Sequence, residues 1–167
     1  MVRNLFAKIS IALTITAAAT AAHADVDVTC VDSDCMHNGW VVTDQRTGQT
    51  VSNICTAADC NVHGWNSTLN NLRAEDTVCK PGGCFSEGWR AYTTQTGQIS
   101  HEVSCLTSFG ANDCLTNGWN TFVPNRGSYL TRCSQGDCRN IGWDINSRPT
   151  ARCKAGGCFV TGWTVFN

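Results

Sequence analysis

Cys30-Val31-Asp32-Ser33-Asp34-Cys35-Met36-His37-Asn38-Gly39-Trp40 is the first of six copies of one stretch: Cys, four residues (eight in the fourth copy), Cys, three residues, Gly-Trp. The other copies end at Trp65, Trp89, Trp119, Trp143 and Trp163, and together they use all 12 cysteines and all 6 tryptophans of the 167-residue chain. A fixed internal period of this kind marks a repeat architecture, in which each unit buries its face against its neighbours.

Around each copy the chain reads as strand, Cys-bracketed loop, strand bearing Trp. Asp25 to Thr29 alternates into Cys30, and Thr50 to Ile54 does so into Cys55. Turn residues separate successive units at Arg46-Thr47-Gly48-Gln49, Thr96-Gly97-Gln98, Pro124 to Gly127 and Asn146 to Pro149. Asn70 to Asp76, without Gly or Pro, is expected to hold a helical turn. No stretch carries sustained helical periodicity with start and stop signals. The expected fold is all-β: six tandem disulfide-stapled β-hairpin repeats, closed as a propeller-like ring or stacked as a short β-solenoid. A second periodicity lies above the first. Lys80-Pro81-Gly82-Gly83-Cys84-Phe85 in unit three matches Lys154-Ala155-Gly156-Gly157-Cys158-Phe159 in unit six, so the six units read as three duplicated. A β-trefoil would group them as three pairs instead.

The cysteines are expected to pair within units: Cys30 with Cys35, Cys55 with Cys60, Cys79 with Cys84, Cys105 with Cys114, Cys133 with Cys138, and Cys153 with Cys158. Between Cys105 and Cys114 the gap grows to eight residues while all later spacing is kept, as a bonded loop allows. Zinc is the alternative, but the spacing is wider than a zinc knuckle and no His recurs beside it. Leu, Ile, Val and Phe are scarce, so the bridges offset a thin apolar core.

The recurrent Gly before Trp suggests a bulge that swings each indole over its bridge. Trp40, Trp65, Trp89, Trp119, Trp143 and Trp163 are then packing residues. As the competing reading, they are candidate ligand-binding faces for sugar rings, helped by Asn38, Asn66, Asn117, Asn120 and Asp144. Asp34, Asp59, Asp113 and Asp137 precede the second Cys where units three and six have Gly, which suggests a left-handed turn position rather than a calcium ligand. His37, His63 and His101 share no offset and are expected at the surface.

Residues 1–24 read as a secretion signal: Arg3 and Lys8, a mostly apolar run from Ile9 to Ala22, and Ala22-His23-Ala24 as the cleavage site. Residues 25–167 then form a single repeat domain, periplasmic or extracellular. Its net charge is −1 for the whole chain, or −3 once Arg3 and Lys8 are removed. Those charges are scattered in sequence, with no basic stripe for nucleic acid and no membrane span. No nucleophile, metalloprotease or phosphate-loop motif is present. Neither a catalytic residue, a metal nor a cofactor is therefore expected. Asn66-Ser67-Thr68 matches a glycosylation acceptor. The function expected is an exported, non-enzymatic binding module for a cell-surface carbohydrate or another exported protein. The alternative is a structural envelope, sheath or fibre protein that self-associates through exposed end strands. A metal-handling role ranks third.

Overall fold

The computed structural model describes residues 26 to 166, apart from 109, 110 and 147 and the side chains of 111, 148 and 149. The expected signal, residues 1–24, lies outside them.

Twelve strands close into one antiparallel barrel in simple chain order. They are β1 (Val26–Cys30), β2 (Trp40–Asp44), β3 (Thr50–Cys55), β4 (Trp65–Leu69), β5 (Leu72–Cys79), β6 (Gly88–Thr93), β7 (Ile99–Cys105), β10 (Trp119–Val123), β11 (Gly127–Cys133), β12 (Gly142–Ile145), β13 (Arg148–Cys153) and β14 (Gly162–Val165). The extra residues of unit four form a separate ribbon of β8 (Thr107–Ser108) and β9 (Ala111–Asn112). The ring closes where β1 pairs with β14, Val26 opposite Val165 and Val28 opposite Trp163. The architecture is therefore the ring, not the solenoid. Closure leaves no barrel strand with an unpaired edge.

Six disulfides join the cysteines of each unit, from Cys30–Cys35 round to Cys153–Cys158. The loops they bracket all lie at one end of the barrel. There the backbone N–H of each second cysteine donates to the carbonyl of the residue after the previous unit's second cysteine. Cys60 donates to Met36, Cys84 to Asn61, Cys114 to Phe85, Cys138 to Leu115, Cys158 to Arg139, and Cys35 to Phe159. These six bonds, of 2.7 to 3.0 Å, form a closed girdle. Five hairpin turns and the β1–β14 seam occupy the opposite end.

The Gly before each Trp has a different role from the expected bulge. Gly39 has φ +90° and Gly162 has φ +108°. A Cβ on Gly39 would sit 1.9 Å from the Asn53 carbonyl oxygen, and one on Gly162 would sit 2.0 Å from that of Val28. The same clash recurs in every unit. Only glycine lets the loop leave under the neighbouring strand at this backbone angle. The register shifts occur elsewhere, at Ser67/Thr68, Ala91/Tyr92 and Trp143/Asp144.

Two further expectations are corrected. Asn70-Asn71 is a two-residue hairpin turn, not a helical one: both residues have positive φ, +50° and +63°, and Leu69 pairs with Leu72 across it. Asparagine tolerates this geometry, which matches the twist of the flanking strands. The Asp before the second Cys is extended rather than left-handed, with φ −148° at both Asp34 and Asp59. It works through its side chain, which caps the following turn. Asp59 accepts from Asn61 and Val62, and Asp137 from Arg139 and Asn140. Units three and six have Gly there at φ +111° and +101°. The same loop is thus solved in two ways.

Candidate functional site

All six tryptophans point into the barrel and are 1–3 % exposed. They pack on one another. Neighbouring centroids lie 5.0 Å apart for Trp40–Trp65, 5.4 Å for Trp65–Trp89, 5.5 Å for Trp119–Trp143 and 5.3 Å for Trp143–Trp163, all edge to face. Trp163 and Trp40 meet across the seam at 6.4 Å. Phe85 and Phe159, from opposite units three and six, meet at 5.4 Å and cross the barrel at the disulfide end. The duplication read in the sequence is thus a pseudo-twofold axis passing between these two rings. The edge-to-face geometry suits the ring quadrupoles and adds to the area buried.

This placement separates the residues proposed to hold a sugar. The indoles face the interior, whereas Asn66, Asn120 and Asp144, each one position after a Trp, face out. The structure gives the tryptophans no face open to a ligand and assembles no Trp–Asn site. Asn38 is exposed and Asn117 half-buried in the loops.

Below the tryptophans the interior divides. From β12 through the seam to β2 and the start of β3 it is lined by Ile145, Ala151, Val165, Val28, Val42 and Val51. From Asn53 round to β11 it is lined largely by polar groups: Asn53, Ser67, Glu75, Thr77, His101, Thr121 and Thr131, all buried. The Ser67 hydroxyl donates to Asn53 Oδ1 at 2.7 Å. His101 corrects the expectation of a surface histidine: it is 5 % exposed, with Nδ1 3.1 Å from Ser100 Oγ. Burial pushes its pKa below the usual histidine value, against the opposing pull of the Glu75 charge. Ala91, on the strand between them, is the smallest residue at its repeat position and makes room for the pair. A parity signal could have found His101. It lies four residues before Cys105, and residues at even offsets from the first cysteine face inward. His37 and His63 are exposed as expected, and His37 Nδ1 lies 2.8 Å from Asp34 Oδ2.

The outer wall carries matched ion pairs. Lys80 reaches Glu102 at 2.8 Å and Ser104 Oγ at 2.6 Å on the next unit. Lys154 makes the equivalent contacts across the seam, to Asp27 and Thr29 Oγ1, both at 2.9 Å. The hydrogen bond from Lys80 holds the Glu102 carboxyl below its usual range, with Arg90 3.2 Å away adding to it. A surface hollow of about 350 Å³ lies beside this network, between Val78, Lys80, Pro81, Glu87, Arg90 and Tyr92. Its two cations, Lys80 and Arg90, sit against the Glu102 carboxylate, and Glu87 also lines it, so it offers little net charge to a ligand.

Both ends carry both signs: Lys80, Arg139 and Lys154 lie at the disulfide end, and Asp44 and Asp76 at the hairpin end. The disulfide end holds Asp32, Asp34, Asp59, Glu87, Asp113 and Asp137. The hairpin end holds an arginine in or beside four of its five turns, Arg46, Arg73, Arg126 and Arg148. Among the described residues no group of three His, Cys, Asp or Glu side chains could hold a metal, and no helix is long and apolar enough to cross a membrane. No family model matches the chain, and neither does any curated protein or solved structure.

Proposed function

We propose that this chain is an exported binding module that engages its partner through its non-repeated surface and performs no catalysis. One observation carries the reading: every residue that defines the repeat is spent on the frame. The tryptophans are core, the cysteines are bonded, and the glycines lie under neighbouring strands. What faces outward is what differs between units, namely the hairpin turns, the β8–β9 ribbon and the wall. A rigid frame presenting variable turns is a common design for recognition. Six intramolecular disulfides fit an oxidising, exported setting. The partner is a cell-surface polymer or another exported protein.

The structural envelope or fibre reading loses its mechanism, because the strands meant to self-associate pair with each other at the seam. The test is co-sedimentation of the oxidised protein with cell envelopes and with a panel of insoluble polysaccharides, followed by acrylamide quenching. The expected result is saturable binding with all six tryptophans shielded both before and after. A folded monomer that binds nothing would overturn the reading. Tryptophans that are quenched when free and protected by one sugar would overturn the surface assignment.

A further inference from the structure

At the hollow on its outer wall, unit three departs from its twofold mate, unit six. The frame beneath is shared: Lys80 reaches Glu102 and Ser104 just as Lys154 reaches Asp27 and Thr29. The other groups that line the hollow are not shared. Val78, Pro81, Glu87, Arg90 and Tyr92 stand where unit six has Arg152, Ala155, Thr161, Thr164 and Phe166. Thr161 turns its hydroxyl onto carbonyls of its own loop, those of Ala155 and Gly157, both at 2.9 Å. Glu87 instead reaches the next unit, where its Oε2 accepts from Asn112 Nδ2 at 2.8 Å. Asn112 ends β9, and the β8–β9 ribbon holds the residues that lengthen unit four. Two departures from the repeat, a changed lining and an added ribbon, therefore meet at one edge of the hollow.

We propose that this hollow is a saccharide subsite, which takes one ring of a neutral glycan between Tyr92, Arg90 and Glu87. This rests on the binding-module reading and names its partner class. Tyr92 and the exposed Val78 supply apolar surface for the C–H face of a sugar ring. A guanidinium and a carboxylate each present two hydrogen-bonding positions side by side, which match neighbouring ring hydroxyls. Both groups are already positioned. Arg90 is fixed through Nε by Glu102 at 3.2 Å while half its side chain stays exposed, and Glu87 is held by Asn112. Little ordering cost is then left for binding. Two cations, Lys80 and Arg90, stand with two carboxylates, Glu87 and Glu102, so the balance suits an uncharged ligand better than an anion. At about 350 Å³ the hollow lies at the small end of ligand sites. An extended peptide is less suited, because the closed barrel offers it no strand edge to join.

The experiment uses the oxidised protein with neutral oligosaccharides (of glucose, xylose, mannose, galactose and N-acetylglucosamine), polygalacturonate, and isolated cell envelopes. At least one neutral oligosaccharide should bind saturably, shift the amide signals of Arg90 and Tyr92 in NMR spectra, and keep its affinity from low to high salt. Tyr92→Ala should weaken binding about tenfold or more, as loss of an aromatic anchor does, while Tyr92→Phe and Phe166→Ala stay within about twofold. Where Tyr92→Ala melts below the wild type, Glu87→Gln/Arg90→Gln carries the test, with a similar loss expected. No shift at Arg90 and Tyr92 with any oligosaccharide overturns the inference. So does steeply salt-dependent binding to polygalacturonate alone, or equal loss in Tyr92→Ala and Phe166→Ala. Envelope binding that Tyr92→Ala and Glu87→Gln/Arg90→Gln both leave intact overturns it too, while the binding-module reading stands. Absence of binding to every probe and to envelopes overturns both.

Discussion

The two sides of the barrel interior share one frame and differ in what they bury. Both have the same girdle, the same bridges and the same Gly-Trp entry. The seam side fills its lower layer with Val28, Val42, Val51, Ile145 and Val165, and the far side with Asn53, Ser67, Glu75, Thr77, His101 and Thr121. The contrast teaches that the repeat specifies only the disulfide end. With the indole layer and the bridges fixed, the layer beneath is free to be apolar or polar. The polar side then depends on its internal hydrogen bonds, because a buried polar group costs about 1–3 kcal/mol when unpaired.

Disulfide reduction should break this comparison most severely. Each short loop stabilises by roughly 2 kcal/mol through lost chain entropy, so six reduced bridges should unfold the protein. At partial reduction, amide exchange followed by mass spectrometry should show β4 to β7 opening before β13 to β2. The reverse order would mean that the polar side is the more stable one.

Next in size, Trp163→Ala should cost about 3–5 kcal/mol in urea denaturation, and Trp119→Ala clearly less. Trp163 makes ring contacts with Trp40, Trp143 and Phe159, whereas Trp119 makes one with Trp143. Equal costs would show that the number of ring contacts has no energetic meaning.

A smaller effect should separate the sides by pH. The pKa of His101 is depressed in the fold, so the unfolded chain binds the proton more readily. Its contribution is complete above the unfolded value of about 6.5 and is lost as pH falls from there towards the folded value. The melting temperature should therefore drop between neutral and mildly acidic pH. Glu75→Leu/His101→Leu should flatten that drop at little or no cost near neutrality, since an apolar replacement for a buried polar pair is often neutral. A drop unchanged in the double variant would place the sensor elsewhere.

The smallest difference concerns the two matched lysines. Lys80→Met and Lys154→Met should each cost no more than about 1 kcal/mol, because both ion pairs are partly solvated. Lys154→Met should raise exchange at Val28 and Val165, because its ion pair to Asp27 clasps the seam.

How legible this was depended on whether a residue's role repeated. Cys, Gly and Trp recur six times, so the within-unit pairing and the six-unit repeat are legible, whereas ring and solenoid stay open until β1 meets β14; the Lys80/Lys154 and Phe85/Phe159 correspondences announce the twofold. His101 and Glu75 occur once each. Their inward direction follows from strand parity, but a lone polar residue offers no second copy to reveal it. The bulge expected at Gly39 and its counterparts failed because the constraint there is a neighbouring carbonyl from the next unit, which spacing does not display. The Asn70-Asn71 turn was legible in its residue types and was misread for want of a Gly.

Val26 and Val165 lie opposite each other at the seam, in the place where a sixth hairpin turn would stand. The barrel is therefore a loop of strands with a cut in it, and the cut falls between two strands that pair wherever the chain is opened. A short linker from Val165 to Val26, with new ends at Asn70 and Asn71, would leave each strand beside its present neighbours. The order of the units in the gene is one of several equivalent ways to write this ring.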